Sequence, residues 1–153
     1  AMNPGFVSNT TSGKKLGNKK TLSNVVSCFA FRISAMTPVW CGTDADWNPP
    51  GAGALDLEMV PVNDPANIGK GNNLVLKVLF GGEPLAGASV ASARAGDNPG
   101  NGPGTVETNT EGIARIELPS AGSWLFTANH RRPYPDKEKC DSFSYSTALT
   151  LDF

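Results

Sequence analysis

Several features of catalytic proteins are missing from this 153-residue chain. It has a single histidine and no Gly-x-Ser-x-Gly turn that would expose a serine nucleophile. It also lacks the Gly-x-x-x-x-Gly-Lys-Ser/Thr loop that binds phosphate. A Gly-rich run at residues 96–104 leads into a strand-like segment, so it lacks the helix N-terminus that makes such loops bind phosphate. We therefore predict that the chain is not an enzyme.

Excess charge and long apolar runs are also absent. Lys and Arg number 13 and Asp and Glu 14, a net charge of −1. Because nucleic-acid binding needs a concentrated basic surface, no nucleic-acid partner is predicted. The lysines at positions 14, 15, 19 and 20 are expected to lie in a solvated segment rather than a binding patch. No stretch approaches the roughly 20 apolar residues of a membrane span, so we expect no membrane insertion.

Cysteine is scarce and odd in number, at Cys28, Cys41 and Cys140. The odd count is compatible with one disulfide and a free thiol, and equally with three reduced thiols. No Cys-x-x-Cys pair is present, so the spacing fits no zinc site. The pairing of the cysteines therefore stays open at this point.

What the chain does contain is a succession of short apolar segments separated by Gly- and Pro-rich turns. Around residue 57, Leu57 and Met59 alternate with Glu58, which predicts an apolar inner face and an acidic outer face. Thr110–Gly112 is a hairpin signal. Further strand-like segments lie near residues 25–33, 74–80, 89–93, 113–118, 124–130 and 143–153.

This pattern, with no convincing helix, predicts an all-β fold: an immunoglobulin-like or transthyretin-like antiparallel β-sandwich of about seven strands. We expect one sandwich domain over residues 21–153. Residues 1–20 are polar and are expected to form a flexible N-terminal segment. Ala1 before Met2 indicates a tag remnant.

One candidate metal site lies near the end of the chain. His130 ends a predicted strand, and neutral imidazole is the commonest metal ligand in proteins. The alternative is an ordinary strand-end histidine that contacts solvent or a backbone carbonyl. Cys140 and Asp141 lie on the loop that returns from this strand, and together with His130 they would approach one cation.

A second candidate site is a loop after residue 42. Asp44 and Asp46 occupy alternate positions, as at the start of a calcium loop, but the Gly and the distal Glu of such loops are missing. Trp47 is the tryptophan expected to be exposed. These three residues are candidates for ligand binding by a loop at one end of the sandwich.

An ordered set of motifs resembles a known family. The segments are LEMVPVNDP at residues 57–65, LKVLFGGEPLAGASV at 76–90, TNTEG at 108–112, GSWLFTANH at 122–130 and TALTL at 147–151. Over roughly residues 55–153 this set is similar to the carboxy-terminal part of the domain of unknown function 4198 family. Its members are periplasmic or secreted proteins described as accessory components of nickel or cobalt uptake.

The resemblance implies a periplasmic or secreted, non-enzymatic β-sandwich that is accessory to nickel or cobalt uptake. His130 is the family histidine that maps onto this chain, and nickel or cobalt is the implied metal. The implied partner is a membrane metal-transport component or another surface protein. The alternative is a generic cell-surface or periplasmic adhesion module that recognises protein or glycan through its end loops.

Overall fold

A computed structural model describes residues 3–39, 53, 55–68, 73–98 and 104–153. Strands make up 56% of the described residues, which contain no α-helix and only a 3-10 turn at Pro65–Asn67. None of the described helical segments is long and apolar enough to span a bilayer. The strands are β1 (Gly5–Thr10), β2 (Gly13–Leu16), β3 (Val25–Met36), β4 (Leu57–Pro61), β5 (Leu74–Phe80), β6 (Glu83–Pro84), β7 (Ser89–Arg94), β8 (Thr105–Glu107), β9 (Ile113–Ile116), β10 (Ser123–Pro133) and β11 (Ser142–Asp152).

These strands form two sheets. The seven-stranded sheet has the order β2-β1-β3-β11-β10-β7-β8, and in the four-stranded sheet β5 pairs with β4, β6 and β9. The predicted antiparallel β-sandwich is confirmed, but the prediction of about seven strands is wrong, because the described residues form eleven. Strands β2, β6 and β8 have only two to four residues each. Such short strands carry too little apolar alternation to be recognised in a sequence.

Contacts divide the chain into two compact units. Unit 1 comprises Ala1–Ile33 and His130–Ser146, and unit 2 comprises Ser34–Asn129 and Thr147–Phe153. The boundaries fall inside β3, β10 and β11. The single domain expected over residues 21–153 stays a prediction.

Unit 2 has a large apolar core. Trp124, Phe126 and Ala128 occupy alternate positions on one face of β10 and are at most 1% exposed. The Trp124 indole N–H donates a hydrogen bond to the carbonyl oxygen of Ser120 at 3.0 Å, so the buried ring keeps its polar group satisfied. The other large, fully buried apolar side chains of this unit are Leu57, Met59, Leu74, Leu76, Val78, Val90, Ile116, Leu149 and Leu151.

The outer acidic face expected for β4 is wrong. Glu58 is 1% exposed, and every residue of Leu57–Pro61 is buried. The Glu58 carboxylate oxygen Oε2 accepts a hydrogen bond from the backbone N–H of Gly53 at 2.8 Å. A buried carboxylate needs such a hydrogen-bond partner. The alternating pattern wrongly predicted that Glu58 faces solvent, because both faces of β4 are covered.

The turn at residues 110–112 forms as predicted, but it does not close a hairpin within one sheet. The Asn109 side-chain oxygen accepts the N–H groups of Glu111 and Ile113 at 3.0 and 2.9 Å. Strand β8 before the turn pairs with β7, whereas β9 after it pairs with β5 in the other sheet. Gly112 has φ +73°, and a Cβ there would lie 2.7 Å from the Val78 carbonyl oxygen. Glycine is therefore required at this crossing between sheets.

The N-terminal part of unit 1 differs from the flexible segment that its composition predicts. Residues 5–16 form the β1–β2 hairpin, and β1 also pairs with β3. The Ser8 hydroxyl donates to the Gly17 carbonyl at 2.9 Å and the Thr10 hydroxyl to the Gly13 carbonyl at 2.8 Å. Backbone pairing along both edges of β1 orders this polar sequence, which has few large apolar side chains of its own.

Candidate ligand-binding site

Residues 134–141, here called the β10–β11 loop, are fastened to β3 in unit 1. A disulfide joins Cys28 of β3 to Cys140 of the loop, and both residues are at most 2% exposed. Next to the disulfide, the Asp141 N–H donates to the Cys28 carbonyl at 3.1 Å, and the Cys28 N–H donates to Asp141 Oδ2 at 2.8 Å. One covalent bond and two hydrogen bonds therefore fix the end of this loop.

Two ion pairs hold the same loop to the segment after β2. The Lys19 ammonium donates to Asp141, and the Lys20 ammonium donates to Asp136 Oδ2 at 2.9 Å. The hydrogen bond from Lys19, followed by that from the Cys28 N–H, lowers the pKa of Asp141 below its ordinary value. The hydrogen bond from Lys20 likewise lowers the pKa of Asp136. Both carboxylates therefore act as fixed anionic anchors of the loop at neutral pH.

Four half-buried aromatic rings, here called the aromatic cluster, lie together here: Tyr134 of the loop itself, and Phe6, Phe143 and Tyr145 beside it. Phe143 and Tyr145 stack with centroids 4.3 Å apart and an interplanar angle of 4°. Tyr134 stacks on Phe143 at 5.7 Å and meets the Phe6 ring edge-on at 5.8 Å. The four rings therefore form one contiguous, partly exposed aromatic surface.

A pocket of about 670 Å³ opens beside the cluster. Three rings of the cluster line it together with Pro133 and Pro135, and its charged lining residues are Arg132, Asp136 and Lys139. The Lys139 ammonium also lies 5.0 Å from the centroid of the Phe6 ring, a cation–π contact. The volume falls in the range of roughly 300–1,000 Å³ that is typical of small-molecule sites.

Comparison with known protein families adds one finding. The model of the family described as Domain of unknown function (DUF4198) matches residues 1–132. The chain belongs to this family. The match starts well before residue 55, where the recognisable motifs begin, and it ends within β10. No curated protein and no solved structure matches the chain.

The metal ligands predicted for this DUF4198 chain do not come together as a cation site. Cys140 is not available as a thiolate, because its sulfur is bonded to Cys28, so its prediction as a metal ligand is corrected. Asp141 binds Lys19 and the Cys28 N–H. Within the described residues, no group of three His, Cys, Asp or Glu side chains is placed to hold a metal ion.

His130 lies near the end of β10 and is partly buried. Desolvation, followed by the positive charge of Arg132, lowers the pKa of the imidazole. The side chain is therefore neutral at neutral pH, the state in which imidazole ligates metals. The other predicted ligand-binding residues of the DUF4198 chain, Asp44, Asp46 and Trp47, lie outside the described residues, as does Cys41.

The near-zero net charge of the chain conceals a difference between its units. Unit 1 contains nine Lys and Arg against three Asp and Glu, a net charge of +6. Unit 2 contains four Lys and Arg against eleven Asp and Glu, a net charge of −7. Composition over the whole chain cannot reveal this, because unit 1 is assembled from two distant segments.

The sequence interpretation missed the aromatic cluster and its pocket. Two signals were present: Phe143 and Tyr145 share one face of a strand at a spacing of two, and Tyr134 stands between two prolines. The contribution of Phe6 has no signal in the sequence, because β1 reaches the loop only through sheet pairing. The pocket is a candidate binding site formed by described residues of unit 1.

Proposed function

We propose that this DUF4198 chain is a non-catalytic binding module that works outside the cytoplasm, in the periplasm or as a secreted protein. The observation that supports this best is the buried disulfide between Cys28 and Cys140. Disulfides persist in oxidising compartments and are rare in the cytoplasm. Few apolar side chains of unit 1 are fully buried, and a bond that closes the chain across 112 residues stabilises such a unit by restricting its unfolded state.

The environment of the acidic side chains in unit 1 supports a binding role over catalysis. Asp141 uses both carboxylate oxygens to hold Lys19 and the Cys28 N–H, and Asp136 binds Lys20 and the backbone of its own loop. A carboxylate that acts as a general acid or base works best with a pKa close to the operating pH. The lowered pKa values of these two groups suit structural anchors instead.

We further propose, from the family resemblance, that the module is accessory to nickel or cobalt uptake through contact with a membrane transport component. One imidazole, His130, is too few ligands for a selective nickel or cobalt site. The net charge of −7 on unit 2 raises the local concentration of divalent cations. The module would therefore present cations to a transporter without enclosing them.

The location is tested by mapping thiols in the chain purified from its native compartment. Alkylation under denaturing conditions, before and after reduction, followed by peptide mass spectrometry, is expected to label Cys28 and Cys140 only after reduction. Complete labelling of both residues without reductant would contradict an oxidising compartment.

The uptake role is tested by measuring nickel and cobalt accumulation in cells that lack the chain. We expect accumulation to fall and to recover with the wild-type chain. Complementation with His130→Ala separates the two modes of action: recovery indicates action through contacts, and failure indicates that the imidazole ligates the ion. Unchanged accumulation without the chain would contradict the uptake role.

A second candidate function is recognition of a protein or glycan at a surface. The observation in its favour is the pocket beside the aromatic cluster, whose loop is held by a disulfide and two ion pairs. A glycan-array screen with the full chain tests this function, and binding that is lost in Tyr134→Ala is the expected result.

A further inference from the structure

We infer that the pocket beside the aromatic cluster binds a carboxylate-bearing sugar, with the sugar ring against the aromatic rings and its carboxylate toward Arg132 and Lys139. The inference rests on the proposed extracytoplasmic function, because it requires access to carbohydrate outside the cytoplasm. It deepens the second candidate function by naming the chemistry of the ligand.

The size of the pocket favours a compact ligand. Its volume of about 670 Å³ and its lining by residues of one continuous segment, from Arg132 to Tyr145, match a site for one or two sugar rings. Small-molecule sites occupy roughly 300–1,000 Å³, whereas an extended peptide needs a long groove or an exposed strand edge.

The rings that line the pocket suit one face of a sugar. A pyranose ring presents C–H groups on its faces and hydroxyl groups around its rim. Tyr134 and Tyr145 offer the complementary surface, since each has an apolar ring and a polar hydroxyl group. The near-parallel stack of Phe143 and Tyr145 fixes the orientation of these rings before any ligand arrives.

The charges around the pocket favour an anion. Arg132 and Lys139 line it, and the acidic lining residue, Asp136, receives a hydrogen bond from the Lys20 ammonium at 2.9 Å. The net charge of unit 1 is +6. Arginine binds carboxylates through two parallel hydrogen bonds, which gives geometric selectivity as well as attraction. A neutral sugar would forgo this interaction.

The walls of the pocket are held in place by bonds that do not involve a ligand. The Cys28–Cys140 disulfide closes one end of the β10–β11 loop, and the Tyr134 N–H donates to the Asp141 carbonyl at 3.1 Å across it. A preorganised site avoids the entropy cost of ordering a loop on binding.

The experiment is a calorimetric and NMR titration of the full chain with digalacturonate, with galactobiose as the matched neutral sugar and adenosine monophosphate as an unrelated anionic ring compound. We expect digalacturonate to bind about tenfold or more tightly than galactobiose at low salt, a ratio that salt reduces. Amide shifts should concentrate in residues 132–145. Equal affinity for both sugars, tighter binding of adenosine monophosphate, or no binding of digalacturonate would each overturn the inference.

Matched charge variants locate the interaction. Arg132→Gln is expected to weaken digalacturonate binding about tenfold while leaving galactobiose unchanged. Lys14→Gln removes the same charge from unit 1 at an exposed position on β2, outside the pocket lining, and is expected to change affinity less than about twofold. Equal losses in the two variants would indicate diffuse attraction to unit 1 and would overturn the inference.

The role of the rings is tested by Tyr145→Phe alongside Tyr134→Ala. Tyr145→Phe keeps the ring that stacks on Phe143 and is expected to weaken digalacturonate binding less than Tyr134→Ala does. The thermal midpoint of each variant serves as the control for folding. Digalacturonate binding that survives both variants would overturn the inference. Thiol mapping is independent of sugar binding, so failure of this inference is distinguishable from failure of the proposed extracytoplasmic location.

Discussion

The two units of this chain are stabilised in different ways. Unit 2 buries large apolar side chains, among them Trp124, Phe126 and the aliphatic residues of β4, β5, β9 and β11. The buried residues of unit 1 are small or polar, namely Ser8, Thr10, Cys28, Ala30 and Cys140. Its stability comes instead from strand pairing and a disulfide, with smaller contributions from two solvent-accessible ion pairs and from contacts between cations and rings, such as Arg131 over Phe29 at 6.0 Å.

The difference between the units explains why the candidate binding site lies in unit 1. In unit 2 the aromatic rings of Trp124 and Phe126 are buried in the core. In unit 1 the disulfide and ion pairs fix the backbone, so that half-buried rings remain available around the pocket.

Truncation of the unit 2 core should have the largest effect. Phe126→Ala is expected to lower the free energy of unfolding by about 3–5 kcal/mol, because it removes a fully buried ring and leaves a cavity. The matched control is Leu125→Ala on the same strand, where the side chain is 43% exposed and the expected loss is under about 1 kcal/mol. Urea unfolding followed by circular dichroism measures both, and equal losses would contradict the assigned register of β10.

Removal of the disulfide should have the next largest effect, and it should fall on unit 1. The double substitution Cys28→Ser with Cys140→Ser is expected to lower the free energy of unfolding by about 2–5 kcal/mol. Hydrogen exchange should accelerate in the β10–β11 loop and in β3 more than in β5. Ser89→Ala, at an exposed position on β7, serves as the control, and a double variant with wild-type exchange would argue against the role of the disulfide in unit 1.

The crossing between the sheets of unit 2 depends on Gly112. Gly112→Ala is expected to lower the free energy of unfolding by about 1–3 kcal/mol. The substitution would place a methyl group 2.7 Å from the Val78 carbonyl oxygen, at a position with a left-handed backbone conformation. Gly87→Ala separates these two causes, since Gly87 has a similar φ of +68° but a Cβ there would meet nothing within 4 Å. A thermal-shift assay is expected to rank Gly112→Ala as the less stable variant, and the reverse order would contradict the steric explanation.

The ion pair at Asp141 should contribute least. Hydrogen bonds from Lys19 and the Cys28 N–H lower the pKa of Asp141 in the folded chain. Its stabilisation is therefore complete above the pKa of an unfolded aspartate, about 3.9, and is lost as the pH falls through the lower folded-state pKa. Because the Asp141 carboxylate is 45% exposed, we expect the ion pair to contribute under about 1 kcal/mol to the free energy of unfolding.

The measurement for this ion pair is urea unfolding at pH 5.5 and at a pH below the pKa of free aspartate. Asp141→Asn should reduce the difference in stability between the two pH values. The control Glu117→Gln changes an exposed acidic residue of unit 2 and should leave the difference unchanged. An identical pH dependence in wild type and Asp141→Asn would show that the anchor contributes nothing.

Sequence patterns predicted unit 2 better than unit 1. The strands around Trp124 and Leu74 and the turn at Gly112 were recognisable, because alternating burial and glycine conformation are local properties. Glu58 was assigned to the wrong face, because alternation cannot distinguish a covered strand from an exposed one. The β1–β2 hairpin was missed, because polar residues order there only through pairing with β3.

The amino-acid sequence by itself determined the all-β character, the apolar core strands and the family, since these depend on side-chain alternation and on motifs read in order along the chain. Tertiary structure alone decided the Cys28–Cys140 pairing, the aromatic cluster and the opposite charges of the two units. Each of these joins segments more than 100 residues apart, such as the 112 residues between the two cysteines. No periodicity in the chain encodes which distant residues meet, because that depends on the order in which the strands pair.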